Sequence, residues 1–166
     1  MPLFNNAFIS FHILGQKRAS KVLSDERSDD LGGGFTLYYG TQDADNSSVV
    51  EINVKGFFAP TSSRPGLQAD ASRAARALQR RLCDMLDGFD GIGKYYIVST
   101  DFTERGLKVG KGCKMKYQMF VMPKACGPIE SQRGLVMSIA EKANKSAEDV
   151  LDSFGFKPVC GIGKEC

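Results

Sequence analysis

The sequence predicts an α+β fold, built as a five-stranded antiparallel sheet or an OB-like barrel with C-terminal helices. Three observations predict it: short runs of period-two alternation, one long amphipathic segment, and the element order β-β-β-α-β-β before the last helices. Five-stranded OB barrels have this order, and other α+β sandwiches share it. With 166 residues, 42% of them hydrophobic, the chain can form one core. We expect one domain over residues 1–157 and a mobile tail over 158–166.

The first three strands are predicted from alternation. Residues 7–14 alternate apolar and polar side chains and end before Gly15. Residues 16–34 are charged, rich in serine and finish in three glycines, which is typical of a flexible loop. Strands are then expected over 35–39 and 48–58, joined by the turn-forming sequence TQDADN.

A helix is predicted over residues 67–86. Its apolar side chains recur at helical spacing and form one stripe, and three arginines fall together on the opposite side. The stripe consists of Ala71, Ala75, Leu78, Leu82 and Met85, and the arginines are Arg73, Arg76 and Arg80.

The remaining elements are two strands and two helices. Residues 95–102 and 114–122 read as strands around a glycine-rich turn. A helix follows through Leu135 and Ala143. Ser146 and Asp149 resemble a capping box, which predicts that a separate short helix starts there and stops at Gly155.

Positive charge is concentrated between Lys94 and Lys124. This segment has six lysines and one arginine against two acidic residues, an excess of five charges in a chain with a net charge of +3. Clustered cations that neutralise phosphates give salt-dependent affinity for nucleic acids, and tyrosines offer stacking surfaces. We therefore name as candidate nucleic-acid-binding residues Lys94, Arg105, Lys108, Lys111, Lys114, Lys116, Arg73, Arg76, Arg80, Tyr95 and Tyr117. The alternative is that these charges only protect a sheet edge and solvate a helix.

No motif supplies an enzyme mechanism, so we expect no catalytic residue, metal or cofactor. His12 is the only histidine and lies in an apolar run. Residues 88–95 fit GxxxxGK, but Tyr95 replaces the Ser or Thr of a P-loop, and the segment joins a helix to a strand instead of a strand to a helix. The five cysteines lack the close pairs of a structural zinc site and are expected to be free thiols.

Two functions are favoured by these observations, and an enzyme without a recognisable motif is the third alternative. The first is a small nucleic-acid-binding protein that grips the backbone of a single strand with a basic β-hairpin. The second is a non-enzymatic protein-interaction or assembly module, such as an inhibitor, an adaptor, or a viral accessory or structural subunit, with a protein partner or a second copy of itself. No apolar run approaches the roughly 18 residues of a membrane span, and the N-terminus does not resemble a secretory signal. We therefore expect a soluble, intracellular (cytoplasmic) protein.

Overall fold

Two layers make up the described part of the chain: an antiparallel β-sheet, and two long helices on one of its faces. The structure is a computed structural model and describes residues 24–43, 46–107 and 110–159. Within these residues the sheet has six strands. Their bounds are β1 Ser24–Gly32, β2 Phe35–Asp43, β3 Asn46–Pro60, β4 Ile92–Leu107, β5 Gly110–Pro123 and β6 Phe156–Val159.

The strand order across the sheet is β1-β2-β3-β5-β4, and each neighbouring pair is antiparallel. The short strand β6 also pairs with β3, at Phe57–Pro60, just beyond the point where β2 leaves it at Lys55. Since β5 occupies the other side of β3 as far as Phe58, β2 and β6 lie end to end along one side of β3.

The helices are α1, Leu67–Asp87, and α2, Arg133–Ser153. A 3-10 turn over Ile129–Gln132 leads into α2. The helix α1 packs on β4, where Thr100 Oγ1 donates a hydrogen bond to the carbonyl of Ala75 at 2.8 Å. The helix α2 ends at Ser153, and Gly155 follows two residues later with a φ of 79°, in the left-handed region that favours glycine after a helix.

The core lies between the helices and the sheet. Alternate residues of each strand point into it, because successive side chains of a strand lie on opposite faces. On β5 these are Cys113, Met115, Tyr117, Met119 and Val121, all with at most 1% exposure. On β3, Gly56 takes the inward position beside Phe35, whose ring fills the space that a Cβ at residue 56 would need. The ring thereby covers the gap that the glycine leaves in the inner face.

The structure overturns the predicted five-stranded sheet or OB-like barrel, although the mixed α+β class is right. The described residues give six strands, and the sheet is not closed, because β1 and β4 are at opposite ends of the strand order. A barrel would require pairing between the first and last strands of the sheet.

Three local predictions are also wrong. Residues 24–32 of the polar segment predicted as a loop over 16–34 form strand β1. The separate helix expected at Ser146 does not exist, because α2 runs without a break to Ser153. Residues 158 and 159 of the expected tail belong to β6. The strand predicted over residues 7–14 lies outside the described residues.

The remaining boundaries are close to those predicted. The helix expected over 67–86 is α1. The strands expected over 35–39, 48–58, 95–102 and 114–122 lie within β2, β3, β4 and β5. No helix in the described part of the chain is long and apolar enough to cross a bilayer.

Candidate nucleic-acid interface

The face of the sheet opposite the helices carries most of the candidate residues. Neither α1 nor α2 covers it, and we call it the open face. Strand pairing arranges its side chains on β2, β3, β5 and β4 in rows. In this strand order the rows are Gly40–Glu51–Phe120–Tyr96, then Tyr38–Asn53–Gln118–Ser99, then Thr36–Lys55–Lys116–Asp101. Two shorter rows follow, Phe57–Lys114–Thr103 and Gly112–Arg105.

Four cations meet in the last three rows, and we call them the basic cluster: Lys55, Lys114, Lys116 and Arg105. Lys55 and Lys116 are direct cross-strand partners, and Lys114 is the next open-face residue along β5. Like charges placed opposite each other in a sheet destabilise it. Four cations on one surface therefore carry a cost in stability, which makes the basic cluster a candidate binding surface.

The pKa of Lys114 reflects this crowding. Partial burial lowers the pKa of its ammonium group, and the charges of Lys55, Lys116 and Arg105 lower it further. Asp101 acts in the opposite direction. A shallow depression of about 390 Å³ lies beside Lys114, lined by Lys116, Arg105, Asp101, Thr103 and Glu104. An anion bound in this depression would relieve the repulsion among the cations.

An aromatic ring adjoins the basic cluster. Lys55 Nζ lies 5.1 Å from the centroid of the Tyr38 ring, within the range of a cation–π interaction. Tyr38 and Phe57 are both half-buried on the open face, on either side of the row that contains Lys55. A ring beside a cation is the pairing that single-strand-binding surfaces use for a base and its phosphate.

A network of three polar side chains lies next to the basic cluster, in the first two rows of the open face. Gln118 Nε2 donates to Glu51 Oε2 at 2.6 Å and to Asn53 Oδ1 at 2.7 Å. Asn53 Nδ2 donates to the same Glu51 oxygen at 3.1 Å. Glu51 is 8% exposed, whereas both amides are half-buried. The network joins β3 to β5 and fixes the orientation of two amides on the open face.

Beyond this network the open face is more apolar. Phe120 is 4% exposed, so its ring is not presented for stacking. The Tyr96 hydroxyl lies 2.8 Å from Met122 Sδ. Lys94 is exposed and pairs with Met122, at the end of the face remote from the basic cluster.

The structure brings together only part of the predicted set. Arg105, Lys114 and Lys116 belong to the basic cluster, and Lys94 lies on the same face at the other end. Lys111 points to the opposite side of the hairpin, where its Nζ lies 3.0 Å from Glu104 Oε2. Lys108 lies outside the described residues.

The three helix arginines do not join the basic cluster. Arg73, Arg76 and Arg80 are exposed on α1, which packs against the other face of the sheet. Arg73 also pairs with Asp70 one turn before it. The expected convergence of these arginines with the hairpin lysines is therefore wrong.

Neither candidate tyrosine is on the open face. Tyr117 is 1% exposed in the core, and its hydroxyl lies 3.5 Å from Asn144 Oδ1. The Tyr95 hydroxyl donates to Asp87 Oδ1 at 2.6 Å, at the end of α1. Burial, with the hydrogen bond to Asp87, raises the pKa of Tyr95 above its ordinary value. The alternation that placed Tyr117 on a strand also places it inside, opposite Lys116.

Sequence reasoning missed Lys55 and Tyr38. Both are far from the 94–124 segment in the chain and reach it only through the β3–β5 and β2–β3 pairings. The one signal available was that Lys55 follows Glu51 and Asn53 on the polar side of an alternating strand, which marks the outward face.

A second depression, of about 710 Å³, lies at the start of α1. Arg64 lines it, together with Lys111, Lys157 and Glu104. The Arg64 guanidinium lies 4.3 Å from the centroid of the Phe156 ring, and its Nε lies 3.4 Å from Asp70 Oδ2. These contacts hold Arg64 against the ends of β6 and α1. In the described ranges no group of three His, Cys, Asp or Glu side chains could hold a metal ion.

Comparison with known proteins gives no relative: no protein-family model, no curated protein and no solved structure matches this chain. The geometry of the described residues is therefore the basis for any functional assignment.

Proposed function

We propose that this protein binds single-stranded nucleic acid on the open face of its sheet. The observation that carries the proposal is the basic cluster, in which Lys55, Lys114, Lys116 and Arg105 share a surface with a single opposing carboxylate, Asp101, in their rows. The free protein bears the cost of this like-charge contact, and a polyanion removes it.

The mechanism combines charge and stacking. Phosphates lie on the basic cluster and release their counterions, which supplies salt-dependent affinity. A base stacks beside Tyr38, whose ring is already next to Lys55. The proposed binding surface thus involves four neighbouring strands, β2, β3, β5 and β4, and not the tip of the β4–β5 hairpin alone.

The shape of the surface favours a single strand over a duplex. The major groove of B-DNA, about 12 Å wide, admits a helix or a two-stranded ribbon. The open face is several strands wide, at about 4.8 Å per strand, and cannot enter such a groove. Stacking on a side chain also requires unpaired bases.

The test is the affinity of a fluorescent single-stranded oligonucleotide, measured between about 50 and 200 mM salt. Four phosphate contacts on a single strand predict a log–log slope of about −3, at roughly 0.7 per contact. A matched duplex should bind more weakly. No binding at the lowest salt refutes the proposal.

Paired charge reversals locate the surface. Lys114→Glu with Lys116→Glu should reduce the slope to about −1.5 and weaken binding at least tenfold, because two of four contacts are lost. The control is Arg76→Glu with Arg80→Glu, which makes the same change in net charge on the exposed side of α1 and should leave the slope unchanged. Equal losses in both variants would mean that net charge, and not the open face, governs binding.

A protein-interaction module is the second candidate, and the pairing of β1 favours it. In the described residues β1 pairs on one side only, with β2. An edge strand of this kind can accept a strand from a partner or a second copy. A concentration-dependent oligomer that binds no oligonucleotide would support this candidate over the first.

A further inference from the structure

We propose that Gln118 recognises an exocyclic amino group of a base, so that the open face prefers cytosine to uracil. This inference rests on the proposed function. It concerns which bases are preferred, whereas the basic cluster concerns the backbone that every base shares.

The starting point is the saturation of the Gln118 amide nitrogen. A side-chain amide has two N–H donors and one carbonyl acceptor. Both donors of Gln118 are used within the network, one by Glu51 Oε2 at 2.6 Å and one by Asn53 Oδ1 at 2.7 Å. Only the carbonyl oxygen, Oε1, is left to bind a ligand.

Glu51 fixes this orientation. A carboxylate accepts hydrogen bonds and cannot donate them, so both amides must turn their nitrogens toward it. Asn53 Nδ2 lies 3.1 Å from Glu51 Oε2, which leaves Asn53 Oδ1 on the side that faces Gln118. Rotating the Gln118 amide by half a turn would put its oxygen against two oxygens, so the acceptor cannot exchange places with the donors.

The acceptor is within reach of a ligand. Gln118 is half-buried, and no hydrogen bond from the described residues reaches Oε1. A base amino group can donate to this oxygen.

The position of Gln118 matches that role. Its row also contains Tyr38, and the adjacent row contains Lys55 and Lys116. A nucleotide with its phosphate on the lysines and its base over the Tyr38–Gln118 row would bring the base edge to the amide. The lysines then bind the phosphate, the Tyr38 ring stacks on the base, and the Gln118 amide binds the edge of the base.

The chemistry selects among bases. Cytosine carries an amino group at the position where uracil carries a carbonyl oxygen. The cytosine amino group donates a hydrogen bond to Oε1. The uracil carbonyl oxygen would instead face Oε1 as a second acceptor, and neither oxygen would gain a hydrogen bond. The two bases are otherwise of the same size, so the comparison isolates this contact.

The experiment compares oligo(dC) with oligo(dU), each of about twelve nucleotides. At neutral pH and one salt concentration, the wild-type protein should bind oligo(dC) about five- to tenfold more tightly, the effect of one hydrogen bond gained or lost. The variant Gln118→Met keeps the side-chain length and removes the acceptor, and it should bind both oligonucleotides equally with an unchanged salt slope. The control Ser99→Ala, in the same row, should keep the preference.

The outcomes separate this inference from the proposed function. Tight but equal binding of both oligonucleotides by the wild type overturns the base preference and leaves backbone binding intact. A preference that survives in Gln118→Met also overturns it. If neither oligonucleotide binds, both proposals are overturned. The wild-type comparison needs no substitution, so it decides the matter even if Gln118→Met does not fold.

Discussion

Lys114 is the residue at which stability and binding should oppose each other. Its ammonium group is partly buried and faces three other cations, which lowers its pKa. A lysine whose pKa is lowered by folding destabilises the folded state while it is charged, and this cost disappears as the pH rises into the range where lysines lose their proton.

The variant Lys114→Gln should therefore be more stable than the wild type at neutral pH. We expect a Tm higher by about 1–2 °C, the effect of a surface change of up to ~0.5 kcal/mol in a chain of this size, together with weaker oligonucleotide binding. The difference in Tm should shrink in strong alkali and in high salt. Thermal unfolding at several pH values measures it. The same change at the exposed Lys145 of α2 is the control, and a lower Tm for Lys114→Gln would contradict the repulsion argument.

For single residues, the sequence shows which side chains share a face of a strand, but it does not show which of the two faces is buried. Alternation correctly assigned Lys114 and Lys116 to one face of a strand and Tyr117 to the other. It could not show which face the helices cover, so Tyr117 was named as a ligand contact when it is in the core. Lys55 was missed because its partner Lys116 is 61 positions away and meets it only through strand pairing.

Among the elements, β4 is a long edge strand that α1 partly closes. Gln68 Nε2 donates to the Phe102 carbonyl at 3.0 Å, and Gln68 Oε1 accepts from the Glu104 N–H at 2.9 Å. One side-chain amide thus occupies the positions that a peptide group of another strand would take. Gln79 Nε2 adds a third such bond, to the Val98 carbonyl at 2.8 Å. Exposed edges promote association between sheets, and these glutamines occupy the edge instead.

Replacing Gln68 with Ala should have two effects. Loss of two hydrogen bonds should lower the free energy of unfolding by about 1–3 kcal/mol. The uncovered backbone of β4 should also promote self-association at high protein concentration. Urea unfolding measures the first effect, and sedimentation velocity measures the second. Arg76→Ala, on the exposed side of the same helix, should change neither. A variant as stable and as monomeric as the wild type would show that Gln68 does not protect the edge.

Elements differ in how far local sequence determines them. The bounds of α1 were predicted within a residue because a helical stripe lies between Gly66 and Gly88. The strand β1 was missed because SDERSDDLG has almost no apolar residue. Its backbone pairs with β2, and two of its charged side chains have distant partners: Arg27 Nη2 lies 2.8 Å from Glu130 Oε2, and Asp29 Oδ1 lies 3.2 Å from Arg133 Nη2. No window of local sequence contains both members of these pairs.

Across the whole molecule, Cys113 reports on whether the two layers remain packed. It has no exposed surface, and burial raises the pKa of its thiol to about 11, so little thiolate forms at neutral pH. Cys126, by contrast, is exposed after β5. The pKa of Cys83 is also raised, by partial burial and by Asp87.

With iodoacetamide at pH 7.5, Cys126 should be alkylated in the folded protein. Cys113 should react only when urea unfolds the chain, because the thiol must become both accessible and ionised. Cys83 should react at an intermediate rate. Mass spectrometry of the proteolytic peptides gives each rate separately. Alkylation of Cys113 at the rate of Cys126 under native conditions would mean that the sheet and helices separate readily.

The overall topology was the least predictable level. Element order is compatible with several sheets, and only the pairing partners distinguish a barrel from an open sheet. The short β6 illustrates this, since four residues after α2 return to β3 and extend the side that β2 leaves vacant. The position of β6 in the sheet depends on contacts between residues about a hundred positions apart.

Because both helices lie on the same side of the sheet, the protein has a front and a back. A biotin attached to the outer surface of α1, for example at position 81, would fix the molecule to a streptavidin-coated sensor chip in a single orientation. All copies would then turn the same side toward the flowing solution, and a surface-based assay would compare variants without steric interference from the support.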